Sequence, residues 1–357
     1  MISITVYLKP LSTFIGRVPP RSDTLFGALC WGYRLLFSEV SLKDRLDEFE
    51  EAFNSEKEVV PPFLLSSCFL FIQGQKEQKR VHYLPRPFGR RMEVVDESLR
   101  GLEGTLKGVR ILKGLKRKIN LSEEEFDAVI QGRKSDADFI KEIRKELERR
   151  DKLSFGKVEQ GSPADILESP HNAINRLSGA VQEGRFFYHQ ELVIKPGNGI
   201  FFCLKCRDED LLKDLKQVLY FLGDRGIGGE SSMGKGQFKP EFKEGLPFTE
   251  PSEPANYAVT LSLTYPDAYI RSALKESYYE LEKRQGKVES MYARAPHIWK
   301  DSILMLREGS TIPIQNAKRK WLGANPVVRE GVSDLSGHTF NVRQYGLAFL
   351  VKTKHIV

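Results

Sequence analysis

The residues best suited to binding chemistry lie in a glycine-rich run, Gly223–Phe238, of this 357-residue sequence. Six of its sixteen residues are glycine, and two serines and two basic residues, Arg225 and Lys235, lie among them. Glycine adopts positive φ angles and lets another chain approach closely, so the run is typical of a loop in contact with a ligand. Its amides, hydroxyls and cations suit phosphate groups. A flexible surface loop without a ligand is the alternative.

Two nucleotide-binding motifs fit this run incompletely. Gly229-x4-Gly234-Lys235 resembles a Walker A loop, but Gly236 stands where Ser or Thr would ligate magnesium. A P-loop also follows a strand and opens a helix, whereas this run follows an amphipathic helix. The dinucleotide fingerprint lacks its last glycine, because Ser231 occupies that position. The mismatches disfavour ATP and NAD as ligands.

The charge of the chain favours a polyanionic partner. The net charge is +7, and the isoelectric point is near 9.0. The stretch 79–118 holds twelve Lys or Arg residues against four Asp or Glu residues, so its local charge of +8 accounts for the whole excess. A nucleic-acid contact and a merely solvated surface explain this stretch equally well.

The cysteines predict reduced thiols and no metal site. Four cysteines are too few and too scattered for a disulfide framework. Cys203-x-x-Cys206 resembles half of a zinc site, but no second Cys or His pair stands at ligand spacing. The pair also falls in a predicted strand, where positions three apart point to opposite faces. We therefore expect no metal and no cofactor.

The composition predicts an ordinary globular protein. Hydrophobic residues make up 40% of the chain and charged residues 29%, which disfavours disorder. No apolar run reaches membrane-spanning length, and the N terminus alternates like a strand instead of holding the apolar segment of a signal peptide. We expect a cytoplasmic protein without a membrane partner.

Hydrophobic periodicity predicts an α+β chain. Ile2–Leu8 alternates as a strand, and Thr24–Phe37 follows as a helix capped by Ser22 or Asp23. Later predicted elements are a helix at Asp44–Phe53, a strand at Pro62–Ile72, helices near Ser122–Gln131 and Asp136–Arg150, strands at Phe186–Lys195 and Gly199–Lys205, a helix from Asp208 to Gly223 and a strand at Gln237–Phe242. This order is that of an elaborated ferredoxin-like domain, 1–245, with an insertion at about 73–160.

A second domain is predicted after a linker. Residues 243–255 hold three prolines and a glycine, which places the linker at 246–256. Beyond it the pattern restarts with a strand at Tyr257–Thr264, a helix at Ala268–Glu282, strands around Val288–Arg294 and Ser302–Leu306, and a closing strand at Gln344–Val351. The predicted fold is therefore two ferredoxin-like, RRM-like domains, with 257–357 as the smaller one.

A polar segment, Pro170–Gly179, holds further residues able to contact bases and phosphates. His171, Asn172 and Arg176 lie in it, on what we expect to be a loop or a hairpin. A surface turn with a solvated histidine is the alternative.

Four segments resemble one subunit of the type III-A CRISPR effector complexes, a member of the RAMP superfamily. They are Ser22–Leu29 at the start of the first helix, His171–Arg176, the glycine-rich run, and the C-terminal end with Gly337-His338 and Tyr345-Gly346. The glycine-rich run, Gly-Asp-x-Gly-Ile-Gly-Gly-x-Ser-Ser-x-Gly-Lys-Gly-x-Phe, is the most specific, although related RAMP proteins share looser versions. The resemblance spans both predicted domains but not the insertion.

The resemblance implies a subunit without catalytic residues that acts in antiviral and anti-plasmid defence. It would cap the 5′ end of the complex, hold the repeat-derived 5′ tag of the CRISPR RNA, and dock the large polymerase-like subunit beside the RAMP backbone subunit. RNA contacts would come from Gly226, Gly228, Gly229, Ser231, Ser232, Gly234, Lys235 and Gly236 in the run, from His171, Asn172 and Arg176, and less strongly from Arg21 and Ser22. Arg329 and Arg343 are candidates in the second domain.

Three other functions fit parts of the sequence. A metal-independent CRISPR RNA-processing endoribonuclease needs a general acid and base; His171, His189 and His338 are candidates, but the sequence does not place two of them together. A metal-dependent nuclease would use Asp23, which a helix cap explains better. The equivalent subunit of the type III-B complex, or an interaction module without RNA contact, is the third.

Overall fold

The computed structural model describes residues 1–55, 59–74, 80–89, 101–152, 162–252, 255–288, 293–294, 297–317, 319–334 and 337–354. The chain divides by its internal contacts into two compact units. The first unit is Met1–His82 with Ser162–Leu246, and the second is Tyr83–Gly161 with Pro247–Val357. Parts of the basic stretch 79–118 and of the strand expected around Val288–Arg294 lie outside the described residues.

Strands and helices alternate irregularly along both units. The strands are β1 (Ile2–Pro10), β2 (Phe14–Ile15), β3 (Phe63–Leu65), β4 (Phe69–Gln73), β5 (Arg80–Pro85), β6 (Asn120–Ser122), β7 (Ala164–Ile174), β8 (Val181–Ile194), β9 (Gly199–Cys206), β10 (Phe238–Glu244), β11 (Tyr257–Thr260), β12 (Leu281–Arg284), β13 (Ala293–Arg294), β14 (Ile303–Leu306), β15 (Thr311–Pro313), β16 (Val327–Asp334), β17 (Thr339–Arg343) and β18 (Leu350–Thr353). The helices are α1 (Ser22–Leu36), α2 (Glu39–Asn54), α3 (Gly101–Arg117), α4 (Glu123–Ile130), α5 (Asp136–Lys152), α6 (Glu209–Arg225) and α7 (Ala268–Ala273). None of the described helices is long and apolar enough to cross a membrane.

The main sheet of the first unit is antiparallel and is built around β1. β1 pairs with β9 on one side and β10 on the other, so that Tyr7 lies opposite both Phe201 and Glu241. β9 also pairs with β3 and β4, and β4 pairs with β5. Residues 4–8 of β1 are all buried, which means that both faces of the sheet are covered. The alternating N-terminal sequence thus forms the predicted strand.

Helix α6 forms as its periodicity predicts and gives the glycine-rich run a fixed starting point. Asp208 caps the helix by accepting a hydrogen bond from the Leu211 amide at 2.9 Å. The apolar residues at helical spacing are each no more than 2% exposed: Leu211, Leu215, Val218, Leu219 and Leu222. Burial of each such side chain stabilises the fold by about 1.5–3 kcal/mol. Part of this face packs against α1.

The predicted cap of α1 is wrong. The helix begins at Ser22 itself, and Arg21 occupies the capping position without a side-chain capping bond. Ser22 is buried, and its amide donates to the Ser67 hydroxyl at 3.1 Å. Asp23 instead accepts a bond from the Thr24 amide at 2.8 Å, inside the first turn. The buried Ser67 hydroxyl therefore accepts the hydrogen bond from the first helical amide that a capping side chain was expected to accept.

A long hairpin, β7–β8, projects from the first unit and is larger than the sequence predicted. Ser169 pairs with His189 and His171 with Phe187, and β2 adds to the other side of β8 through Phe14. Most side chains of β7 are exposed. A strand that is solvated on both faces carries no apolar alternation, which is why periodicity predicted only residues 186–195 as a strand here.

The second unit contains small antiparallel sheets. β11 lies between β15 and β18, β12 pairs with β14, and β16 lies between β13 and β17. The helix predicted at Ala268–Glu282 is wrong beyond its first turns, because α7 ends at Ala273 and a 3₁₀ turn follows at Leu274–Glu276. Tyr278 then exchanges two backbone hydrogen bonds with Thr311, which draws the chain into extended structure before β12.

The inserted segment groups with the C-terminal part of the chain, whereas the sequence prediction placed it within the N-terminal domain. The Phe88 amide donates to Gly309, and the Thr311 hydroxyl donates to the Phe88 carbonyl at 2.7 Å. Lys354 donates its amide to Ile130, the last residue of α4. Contacts between residues far apart in sequence thus place the inserted segment in the second unit. Hydrophobic periodicity cannot predict such contacts.

Candidate nucleic-acid interface

The glycine-rich run forms a loop that is closed at its base. Gly226 ends α6 with φ 93°, and the Ile227 amide donates to the Gly236 carbonyl at 3.0 Å. A Cβ atom on Gly226 would overlap the Lys235 carbonyl oxygen, and one on Gly236 would overlap that of Ile227. We call Gly226, Ile227 and Gly236 the neck of the loop. Its two glycines are buried, so backbone closure alone accounts for them.

The tip of the loop, residues 228–235, presents backbone to the outside. Gly228 and Gly229 are exposed, and Gly228 has φ 93° with no atom within 4 Å of an added Cβ. A 3₁₀ turn at Ser231–Met233 follows Glu230, which adopts the left-handed conformation with φ 56°. Ser232 is exposed on this turn. Exposed glycine amides and a serine are groups that donate hydrogen bonds to phosphate oxygens.

Lys235 ties the loop to the hairpin. Its ammonium lies 2.7 Å from Glu191 Oε2 and 3.2 Å from Thr13 Oγ1, and Thr13 also donates to Glu191. Burial alone would raise the pKa of Glu191, but hydrogen bonds from Lys235, Thr13 and Ser169 outweigh it and lower the pKa to about 2. The lysine expected to contact phosphate therefore holds a buried carboxylate in this structure.

One face of the hairpin is an exposed aromatic surface. Asn172 lies opposite Phe186, and Pro170 lies opposite Tyr188. The rings of Phe186 and Tyr188 meet edge to face with centroids 5.0 Å apart, and both side chains are more than half exposed. Exposed aromatic rings stack with nucleic-acid bases. We call Asn172, Phe186 and Tyr188 the aromatic face. The sequence analysis did not predict its two rings as RNA contacts, although aromatic residues two positions apart on a strand lie on the same face.

Arg176 lies in the turn of this hairpin and is exposed. The turn joins the end of β7 at Ile174 to the start of β8 at Val181. Among the predicted RNA-binding residues of this segment, Asn172 and Arg176 are thus accessible to an external chain, while His171 is half-buried.

The opposite face of the hairpin turns toward the loop. The imidazole rings of His171 and His189 have centroids 4.9 Å apart, and His189 Nδ1 lies 2.6 Å from Glu230 Oε1. The structure therefore places two candidate acid–base histidines together, which the sequence could not do. His171 Nε2 and His189 Nδ1 are both sealed from solvent, however, so an RNA phosphate does not reach these atoms. His338 belongs to the second unit.

Three other predicted contact residues, Ser22, Arg329 and Arg343, are buried or paired within the fold. Ser22 is fully buried, which argues against an RNA contact through its side chain. Arg329 donates to the Trp299 carbonyl, and Arg343 donates to the Asn325 carbonyl at 3.0 Å. Both of these guanidinium groups thus have partners inside the second unit.

Part of the described positive charge in the basic stretch is paired within the fold. Arg80 lies 2.7 Å from Glu241 and stacks over the Tyr7 ring, and Lys118 lies 2.5 Å from Glu125. Exposed cations remain on α3 at Lys113, Lys116 and Arg117. The excess of charge in the sequence therefore overstates the free charge available to a polyanion.

Comparison with known proteins identifies sequence relatives over most of the chain. A model of the RAMP superfamily matches residues 19–239, more than half of the sequence. CRISPR system Cms protein Csm4 from Thermococcus onnurineus (strain NA1) is 26% identical over 263 residues, which are 74% of this chain and 75% of that protein. The matched family region includes α1, the hairpin and the glycine-rich loop.

Solved structures share the fold at lower identity. A chain of the Csm3-Csm4 subcomplex in the type III-A CRISPR-Cas interference complex superposes with a TM-score of 0.62 at 16% identity, over 99% of this chain and 100% of that one. A chain of the Csm1-Csm4 cassette in complex with cA4 gives a TM-score of 0.56 at 19% identity, over 99% and 98%. The antiparallel α+β architecture agrees with these likenesses. On the match over residues 19–239, the chain belongs to the RAMP superfamily.

Proposed function

We propose that the protein is a non-catalytic, RNA-binding subunit of a type III-A CRISPR effector complex. It holds the repeat-derived 5′ tag of the CRISPR RNA, docks the large polymerase-like subunit and contacts the RAMP backbone subunit. One observation carries the proposal: the first unit presents an exposed glycine tip and, on the hairpin, an exposed aromatic face. The 26% identity to Csm4 and the shared fold with chains of Csm1-Csm4 and Csm3-Csm4 structures support it.

The RNA contacts divide between the two features. Backbone amides of Gly228 and Gly229 and the Ser232 hydroxyl hold phosphates, because these groups are exposed donors. Asn172 and the two rings of the aromatic face hold bases, and Arg176 adds positive charge. The neck glycines, Gly234, Ser231 and Lys235 fix the shape of the loop that makes these contacts. His171 lies on the opposite face of the hairpin and supports the aromatic face without contacting RNA.

Both units descend, in this proposal, from ferredoxin-like RAMP domains. The sheet of the first unit with α1 and α6 carries the pattern best, since strand, helix and strand follow in the order that the sequence predicted. The small sheets of the second unit, around β11, are the remnant of the second domain.

The subunit is proposed to be non-catalytic because one ring nitrogen of each histidine in the pair is sealed from solvent. General acid–base cleavage needs both groups within hydrogen-bond reach of the reacting atoms. His171 Nε2 and His189 Nδ1 are buried instead. Incubation of the purified chain with repeat RNA in chelator tests this, and a specific cut that is lost in His189→Ala would overturn the assignment.

Sequencing of bound RNA tests the main proposal. The full chain is coexpressed with a CRISPR array and the other subunits, the complex is captured through this chain, and the 5′ ends of the bound RNA are sequenced. We expect one common repeat-derived tag, and random ends or absence of RNA would contradict the proposal. The large subunit that copurifies distinguishes a type III-A complex from a type III-B complex.

A matched pair of glycine variants separates binding from folding. Gly228→Gln places a side chain on the exposed tip and should deplete the tagged RNA from the captured complex. Gly197→Gln is the control, since Gly197 also has a positive φ, 82°, and open space around an added Cβ, in the turn before β9. Equal amounts of tagged RNA in the two variants would exclude the tip from RNA binding.

A further inference from the structure

A cluster of three metal-ligating side chains lies where the hairpin meets the glycine-rich loop. One ring nitrogen of His171, one of His189 and a carboxylate oxygen of Glu230 all lie within 4.8 Å of one another. The two histidines come from β7 and β8, and Glu230 comes from the tip of the loop. Three segments that are distant in sequence therefore converge on one point of the first unit.

Two polar atoms of this cluster lack the partners that burial normally requires. His171 Nε2 and Glu230 Oε2 are sealed from solvent and have no hydrogen-bond partner among the described residues. A buried polar atom without a partner costs about 1–3 kcal/mol, so native proteins satisfy nearly all of them. An ion bound between these atoms would satisfy them together.

We propose that His171, His189 and Glu230 bind one divalent transition-metal ion. A tetrahedral zinc ion with bonds of about 2.0–2.2 Å needs donor atoms a little over 3 Å apart, so small side-chain rotations bring the three groups into place. Two imidazoles and one carboxylate suit Zn²⁺, Ni²⁺ or Fe²⁺, whereas Mg²⁺ and Ca²⁺ prefer oxygen ligands alone. Water completes the coordination, since three protein ligands leave a position open.

The surroundings of the cluster orient it for this role. The Phe187 ring stacks on the His171 ring with 11° between the ring planes, and its centroid lies 4.9 Å from that of the His189 ring. Both imidazoles are therefore held by packing. Glu230 has φ 56°, and no other described non-glycine residue has a positive φ. Left-handed backbone is unfavourable for a glutamate, and such outliers concentrate at functional sites. That conformation places the carboxylate against the histidines.

The metal would clamp the loop to the hairpin beside the ion pair between Lys235 and Glu191. This role is independent of RNA, because it depends only on contacts within the first unit. A simple hydrogen bond between His189 and Glu230 is the competing explanation of the 2.6 Å contact. That explanation leaves His171 Nε2 without a partner, and it predicts no effect of metal.

Metal titration of the full chain tests the site. The purified protein is stripped with chelator and dialysed against Zn²⁺, and bound metal is counted by mass spectrometry. We expect one ion per chain and an increase in the thermal unfolding temperature with Zn²⁺ but not with Mg²⁺. Co²⁺ gives a visible spectrum that reports nitrogen and oxygen ligands and separates them from the thiols. Absence of stoichiometric binding overturns the proposal.

Variants assign the ion to these residues. Glu230→Gly removes the carboxylate and suits the positive φ, so it keeps the fold while lowering Zn²⁺ affinity by at least about tenfold. His171→Asn should do the same. The control is His297→Asn, which removes an exposed histidine of the second unit. Unchanged affinity in Glu230→Gly and His171→Asn would overturn the site even if the wild-type chain binds zinc elsewhere.

A local readout distinguishes a clamp from surface binding. Zn²⁺ should slow hydrogen exchange in the tip, residues 228–235, and in the hairpin of the wild-type chain. In Glu230→Gly the same addition should leave exchange of these segments unchanged. Equal protection in both proteins would contradict the clamp.

Discussion

Lys235 Nζ lies 2.7 Å from Glu191 Oε2, and the Glu191 side chain is only 2% exposed. The ion pair joins the glycine-rich loop to strand β8, two segments that hydrophobic periodicity cannot relate. Because Glu191 is buried, its charge depends on the lysine and on Thr13 for compensation. This interaction thus links the loop to the hairpin.

Removal of the lysine should destabilise the first unit. Lys235→Met leaves a buried carboxylate without its cation, and we expect a loss of about 3 kcal/mol, the lower end of the range for broken buried pairs, because the lysine is itself 25% exposed. Urea unfolding measures the change. Lys213→Met is the control, since its partner Asp210 is 92% exposed and the pair should contribute little. Equal losses in the two variants would contradict the buried role of Glu191.

The ion pair between Lys235 and Glu191 should make the free energy of unfolding depend on pH in the acid range. The pKa of Glu191 is lowered from 4.5 to about 2 in the folded protein, so the unfolded state binds a proton more readily. The stabilisation is therefore complete above pH 4.5 and is lost as the pH falls toward 2. In Glu191→Gln this component is absent. The difference in unfolding free energy between wild type and variant should shrink over that interval, and a constant difference would argue against the lowered pKa.

Neck and tip glycines should respond differently to alanine. Gly236→Ala forces a Cβ into the Ile227 carbonyl oxygen at a positive φ, so we expect a loss of more than about 3 kcal/mol or failure to fold. Gly228→Ala has open space and meets only the cost of left-handed backbone, about 1–2 kcal/mol. Thermal unfolding of both variants compares them. A larger loss in Gly228→Ala would show that the neck is not closed as described.

The aromatic face should contribute to RNA affinity. Stacking of one base on an aromatic ring is worth about 1–3 kcal/mol, so Tyr188→Ala should weaken binding of tag RNA by about fivefold or more. Tyr220→Ala is the matched control, because Tyr220 is 56% exposed on α6, close to the 60% of Tyr188. Fluorescence anisotropy with labelled RNA measures both. Identical affinities would exclude Tyr188 from the RNA-binding surface.

The sequence predicted the elements whose signals are local. The apolar spacing from Leu211 to Leu222, the cap at Asp208 and the glycines after Gly223 together define α6, the loop and β10, because each signal lies within a few turns of chain. The long exposed hairpin lacks apolar alternation, so only its segment 186–195 was predicted as a strand. The helix expected through Glu282 failed because Tyr278 pairs with Thr311, a distant partner.

The exposure of several candidate residues agrees with the sequence prediction, whereas their role in RNA binding stays a prediction. The glycine tip, Asn172 and Arg176 lie on the exposed surface, as a binding role requires. The pairing of Lys235 with Glu191 and the convergence of His171, His189 and Glu230 arise from the register of β7 with β8 and from the path of the loop. Neither register nor path follows from the spacing of residues along one chain.

The hydrogen bond between Ile227 and Gly236 has a consequence for how such loops diversify. Because this bond closes the loop at its root, between Ile227 and Gly236, the conformation of residues 228–235 is largely independent of the end of α6 and the start of β10. Exchange of the exposed residues beyond that root, with Lys235 kept, for those of a related chain would leave the helix and strand undisturbed. Selectivity for different polymers can therefore change at this place without a new scaffold.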